Sequence, residues 1–218
     1  MCQLVMLRML LIMDDICIRH DIPYWLTAGT LIGAIRHQGF IPWDCDVDVG
    51  MRRQDLHRFK CVTDELPKDI FFQDSETDPY YPEDSIFVKL RDRYSDYVEW
   101  AFYNPSAKWH NGLQVDLYIY DYDESGCLVN PVKKTAYEPE DIFPCTRIEF
   151  AGSALMVPKN YHDYIDRRYP GYMTPPPESE RKPVQGFADP LKPCDHPESL
   201  QYTLNPDSKN AVKKGKVN

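Results

Sequence analysis

The chain has 218 residues, 43% hydrophobic and 27% charged, enough for one domain of about 150 residues with appendages, and this composition excludes collagen, coiled-coil and wholly disordered classes. A net charge of −9 opposes unassisted binding to nucleic acid or to an anionic membrane, so a phosphorylated substrate would call for a metal to reverse the local field. Seven cysteines without a Cys-x-x-Cys pair form neither a zinc finger nor a complete disulfide framework, which leaves the redox compartment open.

Residues 3–20 carry Val5, Met9, Ile12 and Ile16 at helical spacing with Met6, Leu10, Met13 and Cys17 beside them, which predicts an amphipathic first helix. Arg8 and the pair Asp14 and Asp15 interrupt its apolar run well short of the roughly 20 residues of a membrane span. No small-residue cleavage site follows it, and no Asn-x-Ser/Thr acceptor occurs, because Asn104 precedes Pro105. Asp21 and Pro23 end this helix, and Tyr24 to Thr27 reads as a short strand. Ala28-Gly29 makes a small-residue turn, Thr30 is placed to cap a second helix from Leu31 to His37, and Gln38-Gly39 ends it.

From Phe40 the period becomes two. Trp43, Cys45, Val47 and Val49 alternate with Asp44, Asp46 and Asp48, which predicts a strand with one face of carboxylates. A polar helix is expected over 54–62, then strands at 70–72, 86–90, 97–102 and 113–120, a hairpin over 150–157 and a last helix over 161–169. This alternation indicates an α/β or α+β domain over residues 1–172. Prolines crowd between Pro175 and Pro206, so residues 173–218 read as a proline-rich, disordered tail.

Three aspartates on one strand face repel one another unless something positive resolves them, and Mg²⁺ or Mn²⁺ is the natural partner for hard carboxylate oxygens. Asp116, isolated among apolar residues from Leu113 to Tyr118, needs a partner of the same kind. A solvated edge strand would also carry such charge. A calcium loop of the EF-hand kind requires Gly at its sixth and Glu at its twelfth position, where Val49 and Asp55 stand instead. Gly29 and Thr30, at a helix N-terminus, expose backbone N–H groups of the kind that hold phosphate, so phosphate seat and metal would share one cleft.

The run from Tyr24-Trp25-Leu26-Thr27-Ala28-Gly29-Thr30 through Pro42-Trp43-Asp44-Cys45-Asp46-Val47-Asp48-Val49 resembles the signature of the LicD family. Lys89-Leu90-Arg91-Asp92, Val115-Asp116-Leu117, Phe143-Pro144, Phe150-Ala151-Gly152 and Val157-Pro158 follow in the family's order, so the resemblance covers roughly residues 4–172. It implies a nucleotidyltransferase-like fold related to the polymerase-β palm, a mixed sheet with flanking helices. It implies transfer of phosphocholine or ribitol phosphate from a CDP-linked donor to a hydroxyl of a glycan or glycoconjugate acceptor. By position, Gly29 and Thr30 match the phosphate turn, and Asp44, Asp46, Asp48 and Asp116 match the metal-binding carboxylates. Among these Asp46, Asp48 and Asp116 are the catalytic set, with Asp116 or Asp48 as the base. Cys45 stands where many members have aspartate, its side chain expected on the buried face.

Arg36, His37, Lys89 and Arg91 are further candidates for phosphate binding, each with a local alternative as a helix-terminal or salt-bridged cation. Trp25 and Trp43 read as core aromatics. The same fold would also suit nucleotidyl transfer to a sugar phosphate, or a silent glycan-binding module. Members of the family act in the secretory pathway of animals or in the bacterial cytoplasm, and the residues alone do not choose between these locations.

Overall fold

A computed structural model describes residues 1–82, 87–99, 108–130, 134–183 and 186–196. The expected strand start at Ile86, the strand end at Phe102 and the tail beyond residue 196 lie outside the described residues. The elements in chain order are α1 (Cys2–Arg19), β1 (Trp25–Leu26), α2 (Ala28–His37), β2 (Asp48–Arg52), α3 (Arg53–Lys60), β3 (Ile70–Gln73), β4 (Phe87–Asp92) and β5 (Asp96–Glu99). There follow β6 (Gln114–Tyr122), β7 (Leu128–Val129), β8 (Ala136–Tyr137), α4 (Pro139–Ile142), β9 (Thr146–Phe150), β10 (Ser153–Val157), α5 (Tyr161–Asp166) and β11 (Gly186–Asp189).

The main sheet runs β1-β2-β6-β4-β3, with β7 and β8 attached to the far end of β6. Among the described residues only β2 and β6 pair in parallel and the other pairs are antiparallel, so the domain is a mixed α/β one. Register and the two-residue period sort the sheet into unlike faces. Val49, Met51, Val115, Leu117, Ile119, Leu90, Ile70 and Phe72 share one face, all buried. Against it pack Met6, Met9, Leu10 and Met13 of α1 and Leu56 and Phe59 of α3. Burying such a side chain contributes about 1.5–3 kcal/mol, and the apolar stripe of α1 has no other place to go. No helix among the described residues is long and apolar enough to cross a membrane.

The opposite face carries Asp48, Gly50 and Arg52 of β2, Gln114, Asp116, Tyr118 and Tyr120 of β6, and Lys89 and Arg91 of β4. It is covered in part by Trp25, whose indole lies so close over Gly50 that a Cβ there would sit 2.4 Å from the ring. Tyr164 of α5 closes this side: its hydroxyl accepts from Trp25 Nε1 at 3.0 Å and meets Thr27 Oγ1 at 2.8 Å and the Tyr120 hydroxyl at 2.9 Å. On the apolar side, α1 is tied to the β9–β10 hairpin through Asp14, which accepts from Tyr24 Oη at 2.8 Å and from Arg147 Nη2 at 2.7 Å.

Three expectations change. The strand predicted from Phe40 begins only at Asp48: the two-residue β1 pairs no further back than Val49, and the parallel pairing with β6 starts at Asp48. Asp44 and Asp46 therefore sit in an irregular segment that leads into β2. Thr30 does not cap α2. Thr27 holds the N-cap position, and the Thr30 hydroxyl turns instead toward β2.

The segment after Tyr172 is also more ordered than its composition suggested. Gly186–Asp189 pairs with β5, Arg181 donates to the Pro176 carbonyl at 2.8 Å, and buried Cys194 accepts from the Asn111 N–H at 3.3 Å. A strand needs only an available edge and backbone groups, which composition does not reveal. Truncation after Met173 removes these contacts and is expected to lower the melting temperature by about 5 °C or more, read by scanning calorimetry. An unchanged transition would show that the segment contributes nothing to the fold.

Candidate active site

The site begins with a pairing. Asp48, the first residue of β2, stands directly opposite Asp116 of β6 in the parallel register, and Lys89 of β4 stands opposite Asp116 on its other side. Three charged side chains thus lie in one row across adjacent strands, on the face away from the core. The backbone of Asp48 is held twice: its N–H donates to Thr30 Oγ1 at 2.8 Å, and its carbonyl accepts from the Thr27 N–H at 3.1 Å. The start of α2 and the start of β2 are therefore one rigid unit.

Gly29 has a different local reason. The Asp44 carboxylate rests against it, and a Cβ at residue 29 would lie 2.6 Å from Asp44 Oδ2. Asp44 is further placed by Gln3, whose Nε2 donates to its carbonyl at 2.9 Å. The Asp44 and Asp46 carboxyls lie close enough that each bears on the proton affinity of the other. Within the structure Gly29 and Thr30 seat Asp44 and Asp48, a role that their sequence as a small-residue turn did not reveal.

The electrostatics follow from this packing. Burial, and then the charges of Asp48, Asp44 and Asp116, push the Asp46 carboxyl up to about 10. Burial, followed by Asp116 and Asp44, raises Asp48 well above the usual carboxylate range, and burial raises Asp44. Asp116 is better provided for, since Lys89 Nζ donates to one of its oxygens and Gln114 Nε2 to the other at 3.0 Å. Asp48 Oδ1 is buried with no hydrogen-bond partner among the described residues.

An orphaned carboxylate oxygen beside like charges fits a hard divalent cation, and the donors are all carboxylate oxygens. Among the described residues, no three His, Cys, Asp or Glu side chains are already gathered into a ready metal site.

The remaining expected residues divide. Lys89 joins the row, but Arg91 does not open toward it: its guanidinium is buried and donates to Gln73 Oε1 at 2.8 Å and to the Gly112 carbonyl at 2.8 Å, supporting the sheet beneath the row. Arg36 and His37 stand at the opposite end of α2 from Gly29. Trp25 is fully buried as expected, whereas Trp43 is half-buried and carries the Arg181 guanidinium over its ring. Cys45 is half-buried rather than buried and accepts from the Tyr97 hydroxyl at 3.3 Å.

Sequence reading missed Arg168 and Tyr169, which follow α5. The positive charge of Arg168 bears on Asp48 and on Tyr118, and the guanidinium lies 4.9 Å from the Tyr169 ring centroid. Nothing local marks either residue, since both fall at the end of an expected amphipathic helix.

Fold and site together define a mixed α/β domain whose polar sheet face concentrates carboxylates beside a lysine. The model of the family LicD/FKTN/FKRP, nucleotidyltransferase domain, matches residues 21–160, and the chain belongs to that family. It is similar to the lipopolysaccharide cholinephosphotransferase LicD of Haemophilus influenzae, with 29% identity over 83% of this chain and 93% of that protein. It is also similar to the mouse ribitol 5-phosphate transferase FKRP, with 27% identity over 70% of this chain and 29% of that protein. For the mouse ribitol-5-phosphate transferase FKTN the figures are 26%, 68% and 28%. The chain thus spans less than a third of the length of these two mouse proteins.

The raised carboxyls set a pH dependence. Folded Asp46 keeps its proton to about 10, whereas the unfolded side chain releases it near 3.8. Between those values unfolding releases a proton, so stability falls as pH rises, by up to about 1.4 kcal/mol per pH unit for such a carboxyl. In chelator, urea unfolding at pH 5.5 and 7.5 is expected to show a smaller loss for Asp46→Asn than for the parent chain. Parallel losses would contradict the raised proton affinity of Asp46.

Proposed function

We propose that the chain is a LicD-type phosphotransferase that moves a phosphorylated alcohol, phosphocholine or ribitol phosphate in class, from a CDP-activated donor to a glycan hydroxyl. The observation that carries this reading is the row Asp48, Asp116 and Lys89 across adjacent strands, with Asp44 and Asp46 leading into it. The named activities of the relatives, cholinephosphate and ribitol phosphate transfer, support the same class of reaction. A nucleotidyltransferase-type palm is the finer form of the fold that this reading adopts.

Asp44, Asp46, Asp48 and Asp116 would hold Mg²⁺ or Mn²⁺ through their oxygens. When bound, such a cation supplies positive charge to phosphate oxygens and to the leaving nucleotide. The protein groups divide the remaining work. Lys89 and Gln114 occupy both oxygens of Asp116 and fix its orientation. Asp48 has an unpartnered carboxylate oxygen, whereas both oxygens of Asp116 are engaged, so Asp48 is the better placed to accept the proton of an attacking hydroxyl. Trp25 and Tyr164 wall the neighbouring stretch of the same sheet face, and such a wall keeps competing water from the reacting groups.

The test combines binding and turnover. Calorimetry with CDP, UDP, GDP and ADP, in Mg²⁺ and in chelator, is expected to show metal-dependent binding that favours CDP. Asp48→Asn should lower transfer from CDP-choline or CDP-ribitol by about 100-fold or more while the chain stays folded. Tight binding in chelator would contradict the electrostatic part, and near-normal turnover by the variant would remove Asp48 from the chemistry.

A further inference from the structure

We propose that Arg36, in the last turn of α2, and Arg181, whose guanidinium lies over Trp43, form a clamp for a phosphate oxyanion at the end of α2 away from Gly29. The inference rests on the phosphotransferase reading for the origin of that phosphate, and on its own geometry for the clamp. Arg36 lies in the last turn of α2, where its Nη1 donates to the Tyr172 carbonyl at 2.9 Å. Its Nε is buried and has no hydrogen-bond partner among the described residues. Arg181 approaches from the segment after Tyr172, with its Cζ 5.6 Å from the Trp43 ring centroid. The His37 ring meets the same indole edge-on at 6.4 Å.

Arg181 and His37 thus flank one aromatic ring, with Arg36 preceding His37 on the same helix, in a chain whose net charge is −9. No carboxylate pairs with Arg36 among the described residues, and Arg181 has only Glu178, 3.9 Å away and with a side chain 90% exposed. Such a pair in water is worth little. Burial and the nearby Arg181 charge hold the Arg36 guanidinium below its usual proton affinity, and burial and Arg36 do the same to His37. Like charges so placed repel unless an anion lies between them, and two guanidiniums match phosphate through forked, charge-assisted hydrogen bonds.

The position suits that ligand. Trp43 immediately precedes Asp44, whose carboxylate rests on Gly29 at the other end of α2. At a rise of 1.5 Å per residue, Arg36 stands about 10 Å along the helix from Gly29, so the clamp is a subsite separate from the carboxylate row. Its phosphate can come from the nucleotide donor or from a phosphorylated acceptor.

Arg36→Gln and Arg181→Gln, made in the whole chain, separate these sources. Binding of CDP, cytidine, inorganic pyrophosphate and glycerol 3-phosphate would be measured by calorimetry in Mg²⁺, with the melting temperature as a control on folding. Each variant is expected to weaken a phosphate-bearing probe by about 10-fold and to leave cytidine unchanged. Loss on CDP and pyrophosphate assigns the clamp to the donor, and loss on glycerol 3-phosphate alone assigns it to the acceptor. Arg181→Lys, which keeps the charge without the planar fork, should fall between parent and Gln variant, and it carries the test if Arg181→Gln is misfolded. Unchanged binding of every phosphate probe, or equal losses on CDP and cytidine, would overturn the clamp. Loss of pyrophosphate binding in a chain that shows no preference for CDP would leave the clamp standing and remove the cytidine donor instead.

Discussion

The structure depends on one electrostatic conflict: Asp48 and Asp116 face each other across a parallel strand pair, with Asp46 and Asp44 close behind. Bringing such groups out of water and next to one another is unfavourable, and a fold keeps it only where the surrounding structure over-determines the arrangement. Each neighbour of the cluster serves that end. Thr27 and Thr30 grip the Asp48 backbone, Gly29 leaves room for Asp44, and Lys89 and Gln114 engage Asp116. These groups come from α2 and its N-cap, β2, β4 and β6, so the site exists only once the central sheet has formed.

The two sheet faces divide the labour. The apolar face, packed on α1 and α3, supplies the burial that drives folding. The polar face is roofed by aromatic residues with polar tips, Trp25, Tyr120 and Tyr164, whose hydrogen bonds to one another and to Thr27 let them be buried without an unpaired group. This roof lies one pair of residues further along β2 and β6 than Asp48 and Asp116. A rigid wall next to a strained cluster is what a site that must orient a reacting phosphoryl group requires.

Membership of the LicD family joins this chain to transferases named for phosphocholine and for ribitol phosphate. The bacterial relative is matched over nearly its whole length, whereas the mouse relatives extend well beyond the matched region. The family model covers residues 21–160 of this chain, which hold the carboxylates and the parallel strand pair.

Much of this was legible in the amino-acid sequence. The apolar stripe of residues 3–20 predicted α1, the alternation at Asp44, Asp46 and Asp48 singled out the carboxylates, and Asp116 stood out as an acid in an apolar strand. These are local patterns set by helical and strand periods, which a chain expresses before it folds. Tertiary structure decided the rest, because the deciding quantities are distances between residues far apart in sequence. It placed Asp48 opposite Asp116, gave Thr30 to Asp48 instead of to a helix cap, turned Arg91 into a buried support, and brought Arg168 and Arg181 toward the site from beyond residue 160. No period in the sequence encodes which acids share a partner, whereas burial and the pairing of strands do.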